Sequence, residues 1–154
     1  MFKEMRRQDK KLDHTEAIDI IESGKYGILS TAGSNGYAYG VPMSFAYVNN
    51  CIYFHCAVEG HKLDNIEQND RVSFCVVGDT AILPESFSVR YKSVILFGRA
   101  LEVFGEEKRT ALEAIIAKYS PDYIKEGSEY IKNSSGDTRL FKIEIEHMTG
   151  KAGR

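Results

Sequence analysis

The sequence predicts one antiparallel β-barrel with peripheral helices. About six strand-like runs are joined mostly by hairpin signals, and helices stand at the start, in the middle and near the end; neither fits the regular strand-helix-strand rhythm of a doubly wound parallel sheet. At 154 residues the chain is a single domain, 1–154, because domains run to roughly 100–200 residues. A chain of this size can bury a conventional core without disulfides or metal.

The elements follow in order. Asp13 is placed as an N-cap, Glu16 as its capping-box partner, and Leu12 and Ala17 as a hydrophobic staple, so a helix begins there. Ile18 and Ile21 supply its buried face, and Gly24 ends it as a left-handed C-terminal glycine. Residues 26–32 and 37–48 read as strands. Gly33-Ser34-Asn35-Gly36 between them is a hairpin signal, because Asn-Gly accepts positive φ cheaply.

In the second strand Tyr37, Tyr39, Val41, Met43, Phe45 and Tyr47 share one face, and Ala38, Gly40, Pro42, Ser44 and Ala46 the other. The large residues suit a core. The sparse face lets something flat approach the backbone, and Pro42, having no N–H, marks an open or bulged edge, if not merely an edge strand.

Asn49-Asn50 turns the chain into a short strand, 51–56, and residues 60–69 read as a helix with Leu63 and Ile66 inward. Residues 71–77 and 91–104 are β-branched or aromatic runs, the second bent at Gly98; 78–89, with Pro84, reads as a loop. Residues 106–119 form the clearest helix: Glu106 and Glu107 sit at the positive end of its dipole, and Leu112, Ile115, Ile116 and Tyr119 follow the buried stripe. Pro121 stops it. A polar, partly helical stretch leads to Gly136, and Phe141, Ile143 and Ile145 alternate with polar residues in a final strand.

Twenty basic and 22 acidic side chains leave a net charge of −2, which argues against a nucleic-acid partner. Cys51, Cys56 and Cys75 form no CxxC, so a reducing, cytoplasmic setting is expected. The basic N-terminus has no apolar run behind it, so no signal peptide is expected there. No stretch is apolar enough to span a membrane as a helix. Lys3, Arg6, Arg7, Lys10 and Lys11, offset by Glu4 and Asp9, make a basic arm that is either solvated or reaches across a partner subunit.

The stretch from Tyr53 to Leu63 is the most informative for function. It runs from a strand end through a glycine-containing loop into a helix whose first turn carries His61 and Lys62. Free helix amides, a permissive glycine and a lysine point charge make an anion site, most naturally for phosphate; solvated helix residues are the other reading. Cys51, His55, Cys56 and His61 match no zinc spacing, and no metal site is expected. Adjacent strand residues do not converge as a Cys-His nucleophile. Gly33, Gly36 and Gly40 form no GxGxxG.

In order along the chain, Met5-Arg6-Arg7, Tyr39-Gly40-Val41-Pro42-Met43-Ser44, Phe54-His55-Cys56-Ala57 with Gly60-His61-Lys62-Leu63, Arg71-Val72-Ser73-Phe74, Tyr91-Lys92-Ser93-Val94 with Phe97-Gly98, Glu107-Lys108 with Ala111-Leu112, and Glu146-His147-Met148-Thr149-Gly150-Lys151 together resemble the nitroimidazole-resistance proteins. These belong to the pyridoxamine phosphate oxidase-like, FMN-binding split-barrel superfamily.

The resemblance implies a mainly β protein with peripheral helices, an antiparallel split β-barrel of the FMN-binding type, working as a homodimer with FMN at the subunit interface. It implies that His61 and Lys62 hold the flavin phosphate, the histidine standing where arginine is more usual. Val41, Pro42, Met43 and Ser44 would pass along the flavin ring, and His55, Cys56 and Ala57 would line the same pocket. Ser93 and Val94, with Tyr91 as a weaker candidate, would approach from the neighbouring subunit. The implied activity is an FMN-dependent oxidoreductase that reduces nitroimidazoles or other small electron acceptors, with a reduced nicotinamide as candidate donor and His55 as candidate proton source. The alternatives are a non-catalytic flavin carrier or sensor and a haem-binding relative with His55, His61 or His147 as axial ligand. Pyridoxal-forming oxidase activity is not expected of the C-terminal residues 142–151.

Overall fold

The computed structural model describes residues 1–153, apart from the side chain of residue 135. Strand β1 (Lys11–Leu12) leads into α1 (His14–Ser23), then β2 (Gly27–Ala32), β3 (Ala38–Met43), β4 (Ala46–Val48), β5 (Cys51–Cys56), α2 (His61–Gln68), β6 (Arg71–Val77), β7 (Ala81–Leu83) and β8 (Ser88–Val103). Helices α3 (Gly105–Tyr119) and α4 (Ile124–Ser134) precede β9 (Arg139–Gly153). No helix among the described residues is long and apolar enough to cross a membrane.

All strand pairs are antiparallel, in the order β3-β2-β6-β8-β9-β5-β4, with β1 also on β9 and β7 on β8. Strands β3 and β4 are opposite ends of that path, yet only Ser44 and Phe45 separate them in the chain. Three residue steps span at most about 11 Å. The sheet must therefore curl until its edges nearly meet, which makes it a barrel split along one seam.

The single strand predicted over 37–48 is thus two strands. Phe45 and Ala46 are both buried, at 0% and 3% exposure, so strict alternation ends at the seam. Pro42 contributes no donor to the β3 edge. The Phe45 N–H donates instead to the Tyr119 hydroxyl (3.1 Å), and that hydroxyl donates to the Lys25 carbonyl (2.8 Å). The end of α3 closes the gap left by the ladder.

The barrel interior takes one face of each strand. Leu29, Ile52, Phe54, Phe74, Val76, Val94, Leu96 and Ile143 are fully buried, with Phe45 edge-on to Phe74 (centroids 5.1 Å). The bend at Gly98 is a β-bulge: the β8–β9 register jumps from Phe97 opposite His147 to Gly98 opposite Ile145. A Cβ at Gly98 would lie 2.1 Å from the Glu144 carbonyl oxygen, so only glycine fits this approach.

Helix α1 starts as predicted, the Asp13 carboxylate accepting from the Glu16 N–H (2.8 Å). Gly24 is not left-handed: its φ is −65°. Its constraint is packing, since a Cβ there would meet Val76 Cγ1 at 2.4 Å. The 78–89 segment is more than a loop. It holds β7, which pairs with the start of β8 around a 3-10 turn, Pro84–Ser86.

Beside the seam, Lys118 Nζ sits 3.6 Å from the centroid of the Phe45 ring and is buried without a hydrogen-bond partner among the described residues. Burial pushes its pKa down to about 8, against the opposing pull of Glu22. Between about 8 and the ordinary 10.5 the unfolded chain holds a proton that the folded chain has released, so stability rises with pH across that window. Wild type should therefore gain about 1 kcal/mol on Lys118→Met between pH 7.5 and 10, allowing for solvent screening. Urea unfolding at each pH would measure this; a constant difference would contradict it. Tyr119→Phe should cost about 1–2 kcal/mol by removing the hydroxyl between Phe45 and Lys25, read from the shift in urea midpoint.

Candidate flavin and phosphate site

Strand β5 feeds a short loop, Ala57-Val58-Glu59-Gly60, into α2. Gly60 is the N-cap, with φ +156°, and a Cβ there would meet nothing; the backbone angle, not space, favours glycine. The Gly60 carbonyl accepts from the Leu63 and Asp64 N–H groups. No side chain caps this end, so the first amides of α2 point outward without an intrahelical partner.

Two contacts fix the loop and helix against the sheet. The Arg139 guanidinium forks onto Glu102 (3.0 and 2.7 Å) and donates to the Val58 carbonyl (3.2 Å). Glu102 is held below its ordinary pKa chiefly by that hydrogen bond. On the inner side of α2, Asn65 donates to the buried Thr31 hydroxyl (2.9 Å).

Lys62 is half-buried and has no ion pair among the described residues. The His61 ring leans on Tyr39, centroids 4.0 Å apart and planes at 32°. The β3 pattern follows the prediction: Tyr39, Val41 and Met43 are half-buried, while Ala38, Gly40 and Pro42 are exposed. Ser44 is exposed just beyond the strand. Ala57, His61 and Lys62 therefore form an open rim with one cationic group at the start of α2, which meets β3 through Tyr39, on the face opposite Ala38, Gly40 and Pro42.

The remaining predicted residues part company. His55 and Cys56 point to opposite faces of β5. Cys56 faces the barrel core, 7% exposed, with Sγ 3.8 Å from the Arg139 carbonyl oxygen. Burial raises its thiol pKa, so Cys56 is a neutral packing residue rather than a wall beside His55. His55 lies outside the barrel beside α3 and α4; burial, then the charge of Lys62, lowers its pKa. Val94 is fully buried, whereas Ser93 is half-buried on the other face of β8. In the sheet order β8 is the third strand from β3, about 14 Å away at ordinary strand spacing, so one chain does not unite Ser93 with the rim.

Sequence reading missed a groove of about 1100 Å³ between α1 and the ends of β6 and β8, whose walls include Lys25, Tyr26, Asp79, Arg90, Tyr91 and Lys92. Tyr91 is pulled below its ordinary pKa chiefly by the neighbouring Lys151 ammonium, helped by Lys10 and Arg7. Of its wall residues the sequence singles out only Tyr91 as a site candidate. Among the described residues no three His, Cys, Asp or Glu side chains group as metal ligands.

A curled antiparallel sheet, split at one seam and flanked by helices, defines the split-barrel class. The sequence model described as pyridoxamine 5'-phosphate oxidase matches residues 13–152, and the chain belongs to that family. Solved structures agree on the fold. A protein described as a candidate for 5-nitroimidazole antibiotic resistance, from Bacteroides thetaiotaomicron, is 24% identical, with 92% of this chain and 86% of that one covered and a TM-score of 0.74. An FAD-binding protein from Mesorhizobium loti is 23% identical over 94% and 98% of the two chains, TM-score 0.66. An FAD- and heme-binding protein from Mycobacterium smegmatis is 19% identical over 94% and 74%, TM-score 0.77. No curated protein matches the chain.

Burial raises the pKa of all three thiols, Cys51, Cys56 and Cys75. At pH 8 the folded protein should react with a disulfide reagent more slowly than free cysteine does, and all three thiols should react on unfolding. A rapidly labelled thiol in the native protein would contradict this.

Proposed function

We propose that the protein is an FMN-binding oxidoreductase that passes electrons to a small acceptor, with nitroimidazoles as the candidate class. The observation that carries this reading is the uncapped start of α2 behind Gly60, with an unpaired Lys62 beside it; β3 separately presents a sparse outer face. One helix N-terminus and one ammonium suit a terminal monophosphate, which favours FMN over a dinucleotide flavin. The outward amides of α2 and Lys62 would hold the phosphate, with His61 at the rim. The backbone and small outer side chains of β3, with Pro42 and Ser44, would lie against the ring, leaving Val41 and Met43 to support the strand from within. Bound flavin supplies hydride or electron transfer; the chain supplies position and charge.

A homodimer completes this reading. Ile95 and Phe97 are 45% and 38% exposed on the outer face of β8, the face that also carries Ser93, and a second copy packed there would bring Ser93 towards the rim of its neighbour. The resemblance to a resistance-associated protein and to flavin-binding proteins supports the same assignment. A reduced nicotinamide remains the candidate donor, and the cytoplasm, whose reducing conditions suit three free thiols, the candidate location. The haem alternative gains little from His147, whose ring stacks on Phe2 (centroids 4.9 Å) with Nε2 buried.

The purified protein should show a flavin spectrum and elute as a dimer on gel filtration; a Soret band or a monomer would overturn the respective assignments. Lys62→Ala should weaken FMN binding by roughly thirtyfold, about 2 kcal/mol for a lost charge-assisted contact, measured by flavin fluorescence. Equal affinity would remove the phosphate assignment. Anaerobic bleaching by a reduced nicotinamide, then reoxidation by a nitroimidazole, is expected of the enzyme; neither step is expected of a flavin carrier.

A further inference from the structure

His55 stands on the outer face of β5, where α3 and α4 leave a cleft. Gly127 lets α4 press close to α3: a Cβ there would meet Ile116 Cγ2 at 2.5 Å. The cleft has a volume of about 80 Å³ and walls formed by Leu112, Ile115, Ile116, Tyr130 and Ile131, with His55 at one side. The Ser134 and Thr138 hydroxyls complete the lining. Tyr130 is 68% exposed at the mouth.

These features restrict the occupant. Aliphatic walls disfavour phosphate or carboxylate, which would lose its hydration without an ion-pair partner. The nearby Lys62 charge disfavours a cation. An apolar cavity of about 150 Å³ encloses benzene; this cleft is about half that and open at one side, so it seats part of one small ring and leaves the rest at the open mouth. The His55 side chain makes no hydrogen bond among the described residues; desolvation and then the Lys62 charge disfavour its protonated form, and a neutral ring offers one nitrogen as an acceptor.

We propose that the α3–α4 cleft is a second binding site, for an uncharged phenol-like ring whose hydroxyl donates to His55. The assignment does not depend on the flavin reading. It also gives His55 a role other than proton source.

Phenol itself is the probe, added to the full-length protein while the His55 imidazole resonances are followed by NMR. A saturable His55 shift at millimolar phenol is expected, with toluene binding about tenfold more weakly for want of the hydroxyl. Ile131→Trp, which fills the cleft from α4, should weaken phenol binding at least tenfold. His55→Leu, which keeps the apolar walls, should abolish the preference for phenol over toluene and provides the test should the tryptophan variant fail to fold. An unmoved His55 resonance at 20 mM phenol, a concentration roughly matching the millimolar range of weak single-ring ligands, would overturn the proposal. So would equal binding of phenol and toluene by wild type, or unchanged phenol affinity in Ile131→Trp.

Discussion

The architecture depends on a connection too short for a flat sheet. Two residues, Ser44 and Phe45, join strands at opposite ends of a seven-strand path, and the sheet can satisfy that link only by curling. Curling produces the closed core, and the imperfect closure leaves a backbone donor at Phe45 that the ladder does not use. Tyr119 satisfies it and reaches Lys25 as well. Helix α3 is consequently part of the barrel wall. The unpaired ammonium of Lys118 over Phe45 is the less favourable consequence of placing a helix end at that gap.

The same curl sets what each strand face can do. On β3, large residues fill the barrel and small ones leave an approach to the backbone. On β5, Ile52, Phe54 and Cys56 belong to the core, so Tyr53 and His55 must face the helices. Tyr53 donates to Glu107 of α3 (2.7 Å), and Lys142 of β9 donates to the same carboxylate (3.0 Å). Burial, then this carboxylate, pushes the Tyr53 phenol pKa upward, consistent with a neutral donor that ties α3 to the sheet. The features left on the outside are the start of α2, the outer β3 face and the cleft beside His55.

Much of this was legible because local rules and global packing agree. Asp13 caps α1 through the expected amide, and the two faces of β3 alternate as their side chains suggest. Where the sequence misled, a non-local contact had the deciding role. Gly24 reads as a left-handed stop but is glycine because Val76 lies against it. The break at Ser44 and Phe45 is invisible in the alternation of 37–48, since it answers to the meeting of the two sheet edges. Strand β7 is three residues long, too short for a period to emerge beside Pro84. Strand β9 was legible at Phe141, Ile143 and Ile145, but the register change beyond Ile145 shifts the pattern and hides its second half. The site was half legible: Gly60, His61 and Lys62 stand at a helix start as their spacing suggests, whereas the grouping of His55 with Cys56 ignores the two-residue period that separates them.

Strand β9 joins the two parts of the sheet, since it alone lies between β8 and β5 while also holding β1. It follows every other strand in the chain. During synthesis, β8 and β5 must wait with open edges until β9 has left the ribosome, and unpaired edges invite association with other chains. The two parts of the sheet therefore cannot be joined before the last strand is available, and shielding of the β8 and β5 edges until then bears on how much of the chain reaches the folded state.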